Sequence, residues 1–225
     1  MSFSKKKKVK HDTLNLLLGG FLFIIAVIVT LSLTLIKPDT SEIEALAKSN
    51  TLEHIKKSSQ FSNNNPVIIE FADLQCPACA THHRFMKEFL EDNPNITFEF
   101  KHFPLNNIHK NAELMAKYSI AIQTINPKRF WIFLDNIYRD QQTWSKMDQG
   151  DIHIYVKKLL IEKVKVNYNM VFKRLESKTV LAKLASDKLE AKSLKLRGTP
   201  TFLLNGKIIE TPAPNSKSWN KLIGN

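Results

Sequence analysis

The sequence predicts an α/β fold in which a long helical block interrupts a mixed sheet, with one transmembrane helix in front of it. Three observations lead there. An apolar, β-branched run at Val67–Ala72, a helix-length segment and an alternating run at 96–103 give the β-α-β order of a parallel pair. Residues 107–194 carry helical spacing, and a hairpin signal, Asn205-Gly206, follows them. At the other end, the 23 residues from 14 to 36 contain no charge.

That uncharged segment comes first in the chain. As a helix it would span roughly 34 Å, more than the ~30 Å of a bilayer core. It is too long for the apolar part of a cleaved leader, and Leu31-Ser32-Leu33-Thr34-Leu35-Ile36 offers no small-residue cut site. A retained signal-anchor is therefore expected, with secretion after cleavage as the alternative. Lys5, Lys6, Lys7, Lys8 and Lys10 precede the span, whereas Asp39, Glu42 and Glu44 follow it closely. Lysine-rich flanks stay cytoplasmic, so the body faces the periplasm or another extracytoplasmic space. The expected organisation is a basic cytoplasmic end at 1–13, the anchor at 14–36, a tether and helix at 37–65, and a domain at 66–225 with a helical insertion at about 107–194.

Composition narrows the function classes. Hydrophobic residues make up 43% and charged ones 24%, the proportions of a globular protein rather than a disordered or many-span one. The net charge of +12 comes partly from the N-terminal lysines. With no clustered arginine–aromatic motif in an exported domain, nucleic acid is not an expected partner. No glycine-rich phosphate loop is present, and two cysteines are too few for a disulfide scaffold or a four-cysteine zinc site.

Along the exported part, Lys37-Pro38-Asp39-Thr40-Ser41 reads as a tether. A helix to about 59 follows, in which Ser49-Asn50-Thr51 is a candidate break. Ser62-Asn63-Asn64-Asn65-Pro66 is a loop, and Val67–Ala72 a buried strand. Cys76 opens the next helix with Pro77 in its first turn, where a missing N–H costs nothing, and Asn93-Pro94 ends it. The helical block has breaks at Asn126-Pro127, Gln149-Gly150, Asn167-Tyr168-Asn169 and Ser177. Within it, Phe130, Trp131, Phe133, Leu134, Ile137 and Tyr138 read as the packed face of an amphipathic helix, with a substrate groove as the other reading. Strands at 201–204 and 207–210 and a short helix at 216–223 finish the chain.

Both cysteines fall in Cys76-Pro77-Ala78-Cys79. Random placement puts two cysteines this far apart in about 1 case in 100. At a helix N-terminus, unpaired N–H groups stabilise a thiolate on Cys76. Cys79, one turn inward, is positioned to resolve a mixed disulfide formed there. A static disulfide would close too small a loop to restrain the unfolded chain much. A metal site would need His82 and His83 to join the cysteines on one short helix, and a polar outer helix face explains both histidines more simply.

With Glu70-Phe71-Ala72-Asp73-Leu74-Gln75-Cys76-Pro77-Ala78-Cys79, His102-Phe103-Pro104-Leu105 and Gly198-Thr199-Pro200-Thr201-Phe202, the chain resembles the thioredoxin superfamily. Within it, the chain is similar to the membrane-tethered DsbA-type thiol:disulfide oxidoreductases, over roughly residues 66–223. The resemblance implies a thioredoxin-like sheet with an inserted helical domain, and disulfide donation to exported proteins through Cys76 and Cys79. It implies a cis Pro200, with Thr199 offering its backbone to an extended substrate. Glu70, the lone acid in an apolar strand, would exchange a proton with Cys79; the other reading points it to solvent or pairs it with Lys101. Strongly oxidising members carry Pro-His where this chain has Pro77-Ala78, so its redox tuning is expected to differ. The partners implied are reduced or unfolded exported proteins and a membrane redox partner for recycling, with no cofactor required. A reductase or isomerase of the same fold, a Cys/His metal-delivery protein and a chaperone-like binding module are the competing readings.

Overall fold

Six consecutive residues with no exposed side chain make β1, Val67–Ala72, the centre of the sheet. A computed structural model describes residues 39–58 and 65–224. The basic end and the anchor expected at 1–36 lie outside them. Among the described residues, no helix is long and apolar enough to cross a membrane.

Strand β1 pairs in parallel with β2, Thr97–His102, across the intervening helix α2, Pro77–Asp92. Its other edge pairs antiparallel with β3, Thr201–Leu204, which turns back into β4, Lys207–Ile209. The sheet order is therefore β2-β1-β3-β4. The hairpin turn has positive φ at both central residues, 51° at Asn205 and 77° at Gly206, a conformation that asparagine and glycine tolerate best. Asn205 also ties the hairpin to β1: its Oδ1 accepts from Val67 N–H at 2.9 Å, and its N–H donates to the Val67 carbonyl at 2.8 Å.

Alternation along β1 splits the core between two faces. Ile68 packs with Phe202 of β3, with Met86 and Phe89 of α2, and with Trp219 of the last helix, α9 (Ser216–Ile223). Val67, Ile69 and Phe71 pack on the other face against Ala191 of α8, Lys178–Ser193. On that face Lys101 is held among Glu190 (2.8 Å), Glu99 (3.2 Å) and Asp187 (3.8 Å). Asp187 also accepts from the His102 N–H at 3.0 Å, and the His102 ring meets Ser119 at 2.9 Å. This buried network locks β2 to α8.

The block between β2 and β3 contains α3 (Ala112–Ile125), α4 (Pro127–Arg139), α5 (Gln141–Trp144), α6 (Gln149–Leu159), a π-type turn (Leu160–Val164), α7 (Tyr168–Phe172) and α8. Three of the breaks expected from sequence are helix starts capped by their own side chains. Asn126 accepts from Lys128 and Arg129 N–H, Asn167 from Met170 N–H, and Ser177 from Val180 N–H. Sequence did not indicate the π-type turn, which ends at Lys165 with a φ of 59°. The candidate break at Ser49-Asn50-Thr51 is absent: α1 runs unbroken over Thr40–Ser58, starting inside the expected tether. Packing of α1 on α8, with Ala47 buried, outweighs three weak helix formers.

Candidate active site

The cysteine loop leaves the end of β1 and enters α2 through Cys76. This residue has extended backbone (φ −78°, ψ 122°) and is the cap residue of the helix. Pro77 occupies the first turn. The loop is held on three sides. Asp73 accepts from Gln75 N–H (2.7 Å) and Leu105 N–H (2.8 Å), and contacts His109 Nδ1 (2.8 Å). The Gln141 amide, from α5, donates to the carbonyls of Leu74 (2.8 Å) and Cys76 (3.0 Å). From the far end of the chain, the Thr199 carbonyl comes within 3.4 Å of Cys76 Sγ, and the Thr199–Pro200 peptide bond is cis.

Both cysteines are free thiols, Cys79 with no exposure and Cys76 with 8%. Their proton affinities diverge. A hydrogen bond from the Cys79 thiol is the largest effect on Cys76; together with the N–H groups of Cys79 and Ala78 and with Thr199, it outweighs burial and brings the pKa down to about 5. Burial pushes Cys79 the other way, well above the usual thiol range, helped by its bond to Cys76 and the charge of Glu70. The pair is therefore a thiolate at the helix tip over a thiol that keeps its proton.

Glu70 faces this pair. In β1 it lies beside Phe100 and Phe202, whereas Lys101 lies beside Phe71, on the opposite face of the sheet. The pairing of Glu70 with Lys101 weighed from sequence is ruled out by strand parity, and exposure by its 1% accessibility. Burial first, and the Cys76 charge second, raise its pKa to about 8. Its Oε1 has no hydrogen-bond partner.

The expectation that His82 and His83 form a polar outer face is corrected: both are buried, at 7% exposure. The chain after β4 covers one of them, since His82 lies 3.0 Å from the Ala78 and Pro212 carbonyls through its two nitrogens. The insertion covers the other: His83 Nε2 lies 2.8 Å from Asp135 Oδ1, and its ring packs on Tyr138 at 4.8 Å. Each imidazole is thus engaged away from the cysteines. Phe130, Phe133, Leu134, Ile137 and Tyr138 are core residues. Trp131 is 39% exposed and lines a cavity of about 270 Å³ with Phe98, Met86 and Leu90.

Sequence reasoning assigned no role to Asp73 or Gln141, and gave Tyr138 none beside the cysteines. An acid between a strand end and the cysteine pair is a turn-forming signal that could have drawn attention to Asp73. Gln141 and Tyr138 carry no such mark.

The comparisons with known proteins fit this geometry. The family model described as Thioredoxin matches residues 62–225. This chain belongs to the thioredoxin family. It is 28% identical to a probable disulfide bond formation protein D of Bacillus cereus over 214 residues, 91% of this chain and 93% of that one. A protein of the same name from Bacillus anthracis is 30% identical over 162 residues, 69% of this chain and 71% of that one. Among solved structures, oxidised BdbD from Bacillus subtilis matches with a TM-score of 0.59 at 19% identity, over 71% of this chain and 85% of that one. The thiol-disulfide exchange protein alpha-DsbA2 from Wolbachia pipientis matches with a TM-score of 0.60 at 13% identity, over 83% of this chain and 98% of that one. At these identities the solved structures speak for the fold: a thioredoxin-like sheet with a helical insertion.

Proposed function

We propose that this protein is a thiol:disulfide oxidoreductase that introduces disulfide bonds into exported proteins through Cys76 and Cys79. The observation that carries the reading is the divided proton affinity of the pair, about 5 at Cys76 and well above the usual thiol range at Cys79. A stabilised thiolate favours the reduced enzyme, which makes the oxidised enzyme a disulfide donor. The names of the Bacillus relatives support the same activity.

In the forward direction, a substrate thiolate attacks Cys76 Sγ of the Cys76–Cys79 disulfide. The substrate–Cys76 bond forms as the Cys76–Cys79 bond breaks, leaving the electron pair on Cys79. Glu70, protonated near neutral pH, gives its proton to that buried sulfur. A second substrate thiolate then attacks the substrate sulfur of the mixed disulfide and expels Cys76 as a thiolate. Two substrate thiols are oxidised to one disulfide, and two electrons stay on the enzyme pair. Thr199, next to cis-Pro200, offers its backbone to an extended substrate strand. Pro77 and Ala78 tune the pair without an imidazole, leaving Cys79 and the helix-tip N–H groups to hold the Cys76 thiolate.

Residues 14–36 anchor the domain in the membrane with residues 1–13 in the cytoplasm, which puts the cysteine pair outside among its reduced substrates. A membrane redox partner withdraws the two electrons to restore the disulfide. The direct test is Cys79→Ser in an exporting cell. Cys76-linked mixed disulfides with exported polypeptides are expected by mass spectrometry and absent in Cys76→Ser. An empty Cys79→Ser trap would overturn the proposal.

A further inference from the structure

His82 meets two oxygens that can only accept. Its Nδ1 lies 3.0 Å from the Ala78 carbonyl, in the first turn of α2, and its Nε2 lies 3.0 Å from the Pro212 carbonyl, in the segment after β4. A neutral imidazole has one N–H and one lone pair, so it bonds to one carbonyl and turns its lone pair on the other. Only the imidazolium, with an N–H on each nitrogen, satisfies both contacts. Packing keeps the ring in place: the residue is buried, and Phe202 of β3 lies against it with ring centres 5.4 Å apart.

The two oxygens belong to opposite halves of the site. Ala78 lies between the cysteines. Pro212 follows Thr211, whose hydroxyl donates to the Pro200 carbonyl at 3.1 Å. Pro200 in turn forms the cis bond with Thr199, whose carbonyl comes within 3.4 Å of Cys76 Sγ. His82 therefore closes a circuit of contacts that leaves the helix tip, crosses to the segment after β4 and returns to Cys76 through the cis-proline turn. From β3 and that segment the ring meets Phe202 and Pro212, neither of which titrates; the charged side chains flanking them, Lys207 and Glu210, are exposed. On α2 its titratable neighbours are Cys79, one turn before, His83, which Asp135 engages, and the exposed Arg84. The charge that both contacts require is thus carried by the ring itself.

We infer that His82 is a positioning residue for the disulfide exchange: as an imidazolium it fastens the segment after β4 to the first turn of the cysteine helix, and so holds the cis-Pro200 turn in place for a client strand. The inference rests on the reaction proposed above, in which the client lies along the Thr199 backbone. His82 acts through that turn and not on sulfur. Loss of its second proton deprives one carbonyl of its donor and sets a lone pair against it, so the fastening holds in acid and weakens as pH rises.

Two measurements on the purified full chain test this, both between pH 5 and 9. The first needs no client: NMR of the His82 ring nitrogens is expected to show both protonated at the acid end, and the amide signals of Thr211 and Ala213 are expected to move with the same midpoint. The second follows opening of the Cys76–Cys79 disulfide by a reduced dicysteine peptide. His82→Phe keeps a ring and removes both donors, and is expected to raise KM about tenfold in acid with kcat changed less than about twofold. Its KM ratio to wild type is expected to shrink as pH rises, because neutral His82 has itself lost one contact. His82→Gln, which keeps an amide donor that does not titrate, is expected to recover part of the loss. Thr211→Val breaks the next link at an exposed residue and is expected to raise KM while the His82 ring still titrates as in wild type. A ring with a single proton throughout the range overturns the inference, and so does a His82→Phe protein with wild-type KM, an effect on kcat alone, or a KM ratio that stays constant with pH. Should His82→Phe fail to fold, the ring signals, His82→Gln and Thr211→Val decide. If the wild-type disulfide itself fails to open, the proposed reaction falls; if it opens normally while the variants are silent, only the role of His82 falls.

Discussion

Replacing Glu70 with Gln offers a quantitative check on the site because the native carboxyl is held against its own ionisation. In the unfolded chain it titrates at 4.5, in the folded protein at about 8. The sign follows from linkage: a group whose folded pKa is raised stabilises the fold below its unfolded value, and that contribution is lost as pH rises through the folded one. At about 1.4 kcal/mol per tenfold change in proton affinity, the loss is roughly 3 kcal/mol at pH 7 and on the order of 5 kcal/mol above pH 8. Urea denaturation of the reduced protein, followed by the fluorescence of the buried Trp144 and Trp219, gives stability at each pH from 4.5 to 9. The gap between Glu70→Gln and wild type is expected to widen in favour of the variant across that interval. A buried amide lacking partners shifts the variant by a constant of about 1–3 kcal/mol, which cancels in the slope. Oxidation removes the Cys76 charge, the second cause of the shift, so the disulfide form is expected to show a smaller widening. Parallel stability curves for the two proteins would refute the burial of an ionisable Glu70 behind the cysteines.

Absorbance of the reduced protein at 240 nm is expected to report a Cys76 thiolate with a midpoint at about 5, moving upward in Cys79→Ala, which removes the largest cause of the depression. By the same linkage, the thiolate stabilises the reduced fold fully above pH 9, progressively less as pH falls, and not at all below about 5, so denaturation of reduced against oxidised protein is expected to converge in acid. Lys101→Ala removes the cation that Glu190 and Asp187 share, while Lys183 stays on Asp187 at 2.5 Å, so a loss of about 3 kcal/mol is expected in denaturant titration. At Asn205, alanine removes the bond to Val67 N–H and meets an unfavourable positive φ, for about 2 kcal/mol, whereas glycine keeps the turn and loses only the bond, for about 1 kcal/mol, both by thermal melting.

Elements with local causes were readable in advance. The β-branched run of β1, the proline after Cys76, the asparagine caps and the Asn205-Gly206 turn each fix their own backbone through neighbours in sequence. The cysteine pair and its helix tip belong to the same class. What could not be read depends on contacts between distant segments. His82 and His83 are polar residues on a surface-like helix until the insertion and the segment after β4 close over them. Tyr138 has the spacing of any core aromatic, and only the placement of α4 on α2 brings it to the cysteines. Glu70 falls between: its isolation in an apolar strand marked it, but its direction away from Lys101 required the register of β1 against β2.

The contact between Cys76 and Thr199 joins positions 123 residues apart, with the whole insertion between them. During synthesis from the N-terminus, the two thiols therefore emerge long before the segment that completes their environment. Until that segment arrives, the pair has the helix tip around it but lacks the Thr199–Pro200 turn beside Cys76. The surroundings of the cysteine pair are thus completed only by the last eighth of the polypeptide.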